Sequence, residues 1–233
     1  MALFITHDMP GPQWQLALPS SGLGTFALTG WNSDDPDGGV PGQVVEVLAR
    51  SLSRFGRATF PCARASATDS PGWQRQDSDF VARYRIGSIL GRVPARLAAR
   101  GPVDLALLST TSEQAIRGLF DDPDYPWWNQ AQFVLMSPAD APPPDFDRIA
   151  FDPAMLFERD WSEEFARSQP LGVQAILRPG VDGDVAGLLY ASPAIRDRFE
   201  AILSACADES GTSLKHVSEA EFIAALAASP AGR

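Results

Sequence analysis

With 233 residues, of which 45% are hydrophobic and 21% charged, the chain can bury a substantial core as one large domain or two small lobes, and it reads as globular. The net charge of -10 is lopsided: residues 1–110 carry 10 Arg against 9 acids (+1) and residues 111–233 carry 20 acids against 9 basic groups (-11), which argues against nucleic acid or an anionic membrane as partner of the second half. Cys62 and Cys206, like His7 and His216, stand far apart with no metal-ligand spacing, so neither a metal site nor a disulfide framework is expected.

The N-terminus has no Lys or Arg ahead of an apolar run, and Pro10, Pro12 and Pro19 interrupt it. No signal peptide is expected, which points to the cytoplasm, or to the periplasm if such a segment has been removed. No stretch reaches the roughly 18 apolar residues of a membrane span, so no membrane insertion is expected. His7 falls in a segment read as a loose terminus.

Thr25–Asn32 reads as a strand, stopped by the turn residues of Ser33–Gly39. Val44, Val45, Val47, Leu48, Leu52 and Phe55 recur at helical spacing, with Gly56 at the C-terminal end. Arg57–Cys62 suggests a short strand, and residues 63–79 a polar surface excursion. Arg83–Arg100 holds five Arg and no acid; its second part reads as a helix starting at Pro94 and stopping at Gly101, with Arg92, Arg96 and Arg100 near one face.

Val103–Leu108 is a short apolar run of the kind a buried parallel strand shows. Thr110–Glu113 can cap the following helix, which carries Ala115, Ile116 and Leu119. Phe120–Asn129 is an aromatic, acid and proline turn, Gln132–Met136 a strand, and Pro138–Asp147 a loop or connection between lobes. Residues 151–170 read as helical around Trp161 and Phe165. Gly172–Leu177 and Val185–Tyr190 flank the hairpin signal Asp182-Gly183. Helices at Pro193–Ala207 and Glu219–Ala228, with a strand at Thr212–Val217 between them, close the chain. Strands alternating with helices make the class α/β.

The succession of strand, Gly-rich turn and helix ending in Ser-Arg-Phe-Gly, then VPARLAARGPVDLAL, TTSEQA and FDDPDY, resembles the first lobe of family 3 extracellular solute-binding proteins over roughly residues 24–136. Asp104, Glu113, Phe120, Pro123 and Tyr125 stand at matching or nearly matching spacings. The resemblance implies a two-lobed, type II periplasmic-binding-like fold of mixed sheets flanked by helices. Its first lobe would be residues 1–110, its second lobe and hinge 111–190, and residues 191–233 would be C-terminal helices returning to the first lobe. It also implies an inter-lobe cleft closing on a small polar solute, with no cofactor. Where the family places an arginine that holds a ligand carboxylate, this chain has Gln114, which removes the charge-assisted bidentate pair. A second similarity, over residues 26–99, is to an uncharacterised bacterial domain family with a Thr-x-Trp-Asn start and transfers no function.

The ligand residues implied are Trp31, as a stacking aromatic at a strand end, and Ser109, Thr110, Thr111 and Gln114, as a polar rim at a helix N-terminus. Trp31 reads equally as a core residue and the hydroxyls equally as caps. Trp127 and Trp128 beside acids read as a folded turn or a partner-gripping cluster. Cys206, with Ile202 and Leu203, reads as a buried core thiol. No catalytic residue is expected: adjacent carboxylates such as Asp208-Glu209 point in different directions on a helix. The leading expectation is non-enzymatic binding of a small polar solute. The alternatives are an acidic interaction or inhibitor-like protein with a basic protein partner, and an enzyme on the same fold.

Overall fold

The computed structural model describes residues 2–7, 24–29, 42–65, 88–97, 101–121, 134–141, 172–179 and 185–227. Trp31, Trp127, Trp128, the expected helix at 151–170 and the Asp182-Gly183 turn lie outside the described residues. Those that are described form nine strands: β1 (Ala2–His7), β2 (Gly24–Thr29), β3 (Arg57–Ala65), β4 (Ser88–Leu97), β5 (Gly101–Thr110), β6 (Val134–Ser137), β7 (Ala175–Pro179), β8 (Val185–Tyr190) and β9 (Ser213–His216). Four helices accompany them: α1 (Gly42–Phe55), α2 (Glu113–Asp121), α3 (Pro193–Glu209) and α4 (Glu219–Ala227).

The α/β class holds, and all nine strands share one sheet in the order β4-β5-β3-β6-β7-β8-β2-β1-β9. β6, β7 and β8, expected in a second lobe, lie between β3 and β2 of the expected first lobe. Every pairing is antiparallel except that of β1 with β9. The expected parallel strand is therefore corrected: β5 runs antiparallel to both β3 and β4. A continuous apolar run reports burial on both faces, and this sheet is so buried despite its antiparallel pairing: the consecutive residues Val134, Leu135 and Met136 are all buried, as are Ala175, Ile176 and Leu177.

One face carries the main core. Phe60, Met136, Leu177, Leu188 and Leu28 alternate with residues of the other face and join Val44, Leu48, Phe55, Ile116, Leu119, Phe199 and Leu203 in a single cluster. α1 packs between α2 and α3 on this face. The Phe199 ring meets Phe55 edge to face at 5.9 Å, and Phe120 meets Phe60 the same way at 5.7 Å. Cys206 is a free, fully buried thiol, as its spacing suggested. α4 lies against β1 and β2.

Two further expectations are corrected. Pro94 sits within β4, opposite Asp104 of β5, where a helix was expected. β4 ends the strand order, and an edge strand tolerates a proline because one of its sides needs no N–H donor. Likewise Pro61 lies in β3 beyond the three residues that pair with β6, so β3 is paired there through β5 alone. The N-terminus is not loose: Leu3 and Ile5 are fully buried, which anchors β1.

Helix ends show why the chain turns where it does. Ser112 accepts from the Ala115 N–H at 3.3 Å, and Thr110 Oγ1 accepts from the Ser112 N–H at 3.0 Å, so the hydroxyls cap α2. At α4, Ser218 and Glu221 form a reciprocal box: the Ser218 N–H donates to Glu221 at 2.8 Å and the Glu221 N–H to the Ser218 hydroxyl at 3.3 Å. Beyond the end of α3 stands Gly211, whose φ of 67° lies in the left-handed region; the Thr212 N–H donates to Ala207 at 2.8 Å and the Gly211 N–H to Asp208 at 3.1 Å.

Among the described residues, no helix is long and apolar enough to cross a membrane.

Candidate functional site

The register brings the starts of β3 and β7 to the same end of the sheet as the ends of β5 and β6. Ala58 stands opposite both Thr110 and Met136, and Arg57 opposite Ser137. Gly56, just before β3, makes this end tight, because a Cβ there would overlap the Ser137 carbonyl and come within 3.0 Å of the Ala139 nitrogen. Gln174 precedes β7; its N–H donates to Met136 at 2.7 Å and its carbonyl accepts from Ala191 at 2.9 Å.

Polar atoms collect here. Arg57 Nε, Ser137 Oγ and Gln174 Oε1 are buried and have no hydrogen-bond partner among the described residues. Arg57 Nη2 donates to the Ala139 carbonyl at 3.3 Å. One step inward, Thr59 and Ser109 are both buried and share a hydroxyl–hydroxyl hydrogen bond of 3.2 Å. Strand alternation puts Arg57, Thr59, Ser109 and Ser137 on the face opposite the helix-covered core, since Ala58, Phe60 and Met136 belong to that core.

The five sequence-expected ligand residues are thus distributed as follows. Ser109 faces the polar side of the sheet, while its neighbour Thr110, paired with Ala58, is nearly buried on the helix side and is occupied as a turn acceptor. Thr111 and Gln114 are exposed at the start of α2. The Thr111 carbonyl accepts from Ser53 of α1 at 2.7 Å, which fixes that turn. Trp31 lies outside the described residues. Arg57, Ser137 and Gln174 were missed, because no spacing in the chain announces that residues at or just before the ends of three separate strands bring such polar atoms to one end of the sheet.

The N-terminus of α2 is not a bare anion site. Glu113 occupies its first turn and accepts from Arg50 at 3.2 Å; Arg50 also donates to Glu46 at 2.8 Å. Arg50 thereby ties α1 to α2, and Arg54 ties α1 to the end of α3 through Glu209. The Glu209 carboxyl is held below its ordinary range by the Arg54 hydrogen bonds, and burial opposes this only in part.

A second cluster stands at the β1–β9 edge of the sheet. Glu200 of α3 places one carboxylate oxygen 2.9 Å from His7 Nε2 and the other 2.8 Å from His216 Nε2. Sequence reading missed it because the two histidines lie at opposite ends of the chain, and only the β1–β9 pairing unites them.

Comparison of the chain with protein-family models, with curated proteins and with solved structures finds no match in any of the three.

Proposed function

We propose that the protein binds a small polar solute, without transforming it, at the end of the sheet where β3 begins and β5 and β6 end. The observation that carries this reading is the set of buried, unpartnered atoms Arg57 Nε, Ser137 Oγ and Gln174 Oε1. A buried polar atom left unbonded costs about 1–3 kcal/mol, and such atoms call for a partner that the described residues do not supply. The three offer complementary chemistry: a guanidinium donor, a hydroxyl of either sense and an amide acceptor. A solute with a carboxylate for Arg57 and an amine or hydroxyl for Gln174 fits them. The positive charge that the solute-binding resemblance would put at position 114 of α2 is available here from Arg57 at the start of β3. Thr111 and Gln114 lie exposed at the start of α2, on a turn held by the Ser53, Thr110 and Ser112 hydrogen bonds.

In its finer form the proposal gives the protein the two-lobed, type II periplasmic-binding-like architecture. Against that finer form stands the single sheet, in which β6–β8 lie between β3 and β2. Capture of a basic protein by the acidic half is the weaker reading, because several of its carboxylates are already engaged within the chain: Asp197 with Arg196, Glu200 with the two histidines, Glu209 with Arg54 and Glu221 with Ser218.

Thermal-shift screening with a panel of small hydroxy, amino and keto acids tests the proposal. A binding solute raises the melting temperature; the shift should vanish in Arg57→Ala and survive in Lys215→Ala. No shift from any member, or an equal shift in Arg57→Ala, would refute it.

A further inference from the structure

We infer that His7, Glu200 and His216 form a two-histidine, one-carboxylate site for a divalent first-row transition-metal ion, zinc being the reference case. The inference is independent of the solute proposal, which concerns β3, β5, β6 and β7, whereas these side chains belong to the β1–β9 edge and to α3.

The three side chains come from a strand at each end of the chain and from α3, which packs against β9. β1 and β9 run parallel with Ile5 opposite His216, and the pairing continues as the Val217 N–H donates to the Ile5 carbonyl at 2.9 Å. His7 lies two residues beyond Ile5 and so shares its face. Glu200 follows Phe199, which is fully buried, so the helix has little freedom to turn the carboxylate elsewhere. The potential ligand atoms all lie within 4.8 Å of one another. The imidazole rings meet edge to face, 5.7 Å apart at 85°.

The distances suit a metal after small side-chain rotations. Zinc bonds of about 2.0–2.1 Å set tetrahedral ligand atoms roughly 3.3 Å apart. The His–Glu separations of 2.9 and 2.8 Å are a little shorter, and His216, whose side chain is 58% exposed, has room to adjust. Neighbouring cations are directed elsewhere. Lys215 lies over the Phe4 ring at 6.0 Å, and Arg196 pairs with Asp197 at 2.8 Å. A dication at this place meets one carboxylate and two imidazoles, and these two cations have other partners. Two nitrogens and one oxygen favour zinc, cobalt, nickel or iron(II) over magnesium or calcium, which take oxygen ligands. Three protein ligands leave a coordination position to solvent or to a small solute, and the exposure of His216 gives the ion a way in.

The test uses the tag-free full-length chain and Co2+, whose visible absorption reports its coordination, with Zn2+ as competitor. One equivalent of Co2+ should bind and be displaced by Zn2+. His7→Ala, His216→Ala and Glu200→Gln should each weaken binding at least about tenfold, the scale on which single metal-site changes act, while their circular dichroism matches the parent chain. His216→Cys should retain Co2+ and add a near-ultraviolet thiolate charge-transfer band, a signature that loss of folding would not produce. The inference is overturned if the parent chain binds neither ion, if affinity is unchanged in the folded variants, or if His216→Cys binds Co2+ without the new band.

Discussion

Arg54 and Glu209 meet fork to fork: Nη1 donates to Oε1 and Nη2 to Oε2, each at 2.7 Å, joining the last turn of α1 to the end of α3. Both side chains are nearly half exposed, so the pair acts mainly by orienting two helices whose apolar sides already touch. Hydrogen bonding from Arg54 lowers the Glu209 carboxyl below its ordinary value of 4.5. A carboxyl depressed in the folded state contributes stability that is present above the unfolded value and is lost as pH falls through the folded one. The melting temperature of Glu209→Gln should therefore lie below that of the parent chain at pH 7, and the gap should close as pH drops below the ordinary carboxylate range. Added salt at pH 7 should narrow it too. A gap that persists unchanged in acid would contradict the assignment.

Phe199 sits at the junction of α1 and α3, fully buried against Phe55. Phe199→Ala should lower stability by about 3–5 kcal/mol, the cost of the lost transfer and the cavity it leaves. Chemical denaturation gives the value, and a loss under about 1 kcal/mol would mean that the junction collapses to refill the space.

Gly56 and Gly211 are both glycines at helix ends, but for different reasons. A Cβ at Gly56 would collide with the backbone of Ser137, whereas one at Gly211 meets nothing within 4 Å. Gly211→Ala should then cost about 1–2 kcal/mol, the left-handed backbone alone, and Gly211→Asn less. Gly56→Ala should cost more than Gly211→Ala, since backbone atoms must move, and Gly56→Asn should bring no relief. Parallel urea titrations of the four variants check the order.

Ser112 is the N-cap of α2, accepting from Ala115. Ser112→Ala should cost about 1 kcal/mol, and Ser112→Asp should restore most of it. Hydrogen exchange of the α2 amides would localise the effect. Equal loss in both variants would show that the hydroxyl serves some other contact.

Much of the secondary structure was legible in local residue patterns. The apolar spacing of Val44 to Phe55 marked α1, the hydroxyls at Thr110 to Ser112 marked the start of α2, and the run from Pro193 to Ala207 marked α3, because periodicity and caps act within a few residues of chain. The strands β7 and β8 were visible for the same reason. Local pattern failed at Pro94, where a residue type that opens helices also suits an edge strand, and edge position is a property of the whole sheet. It failed at β5 as well: an apolar run records that both faces are covered and is silent on the direction of the neighbours.

Composition and local pattern by themselves determined the α/β class, the buried thiol at Cys206 and the capped turn from β5 into α2. Only the tertiary structure decided which polar atoms meet. Arg57, Ser137 and Gln174 share one end of the sheet through the register of β3, β6 and β7, and His7 reaches His216 because the first strand pairs with the last, under a helix that supplies Glu200. Hydrogen-bond and metal geometry depends on separations of a few ångströms in space, and residues far apart along a chain carry no local record of that proximity.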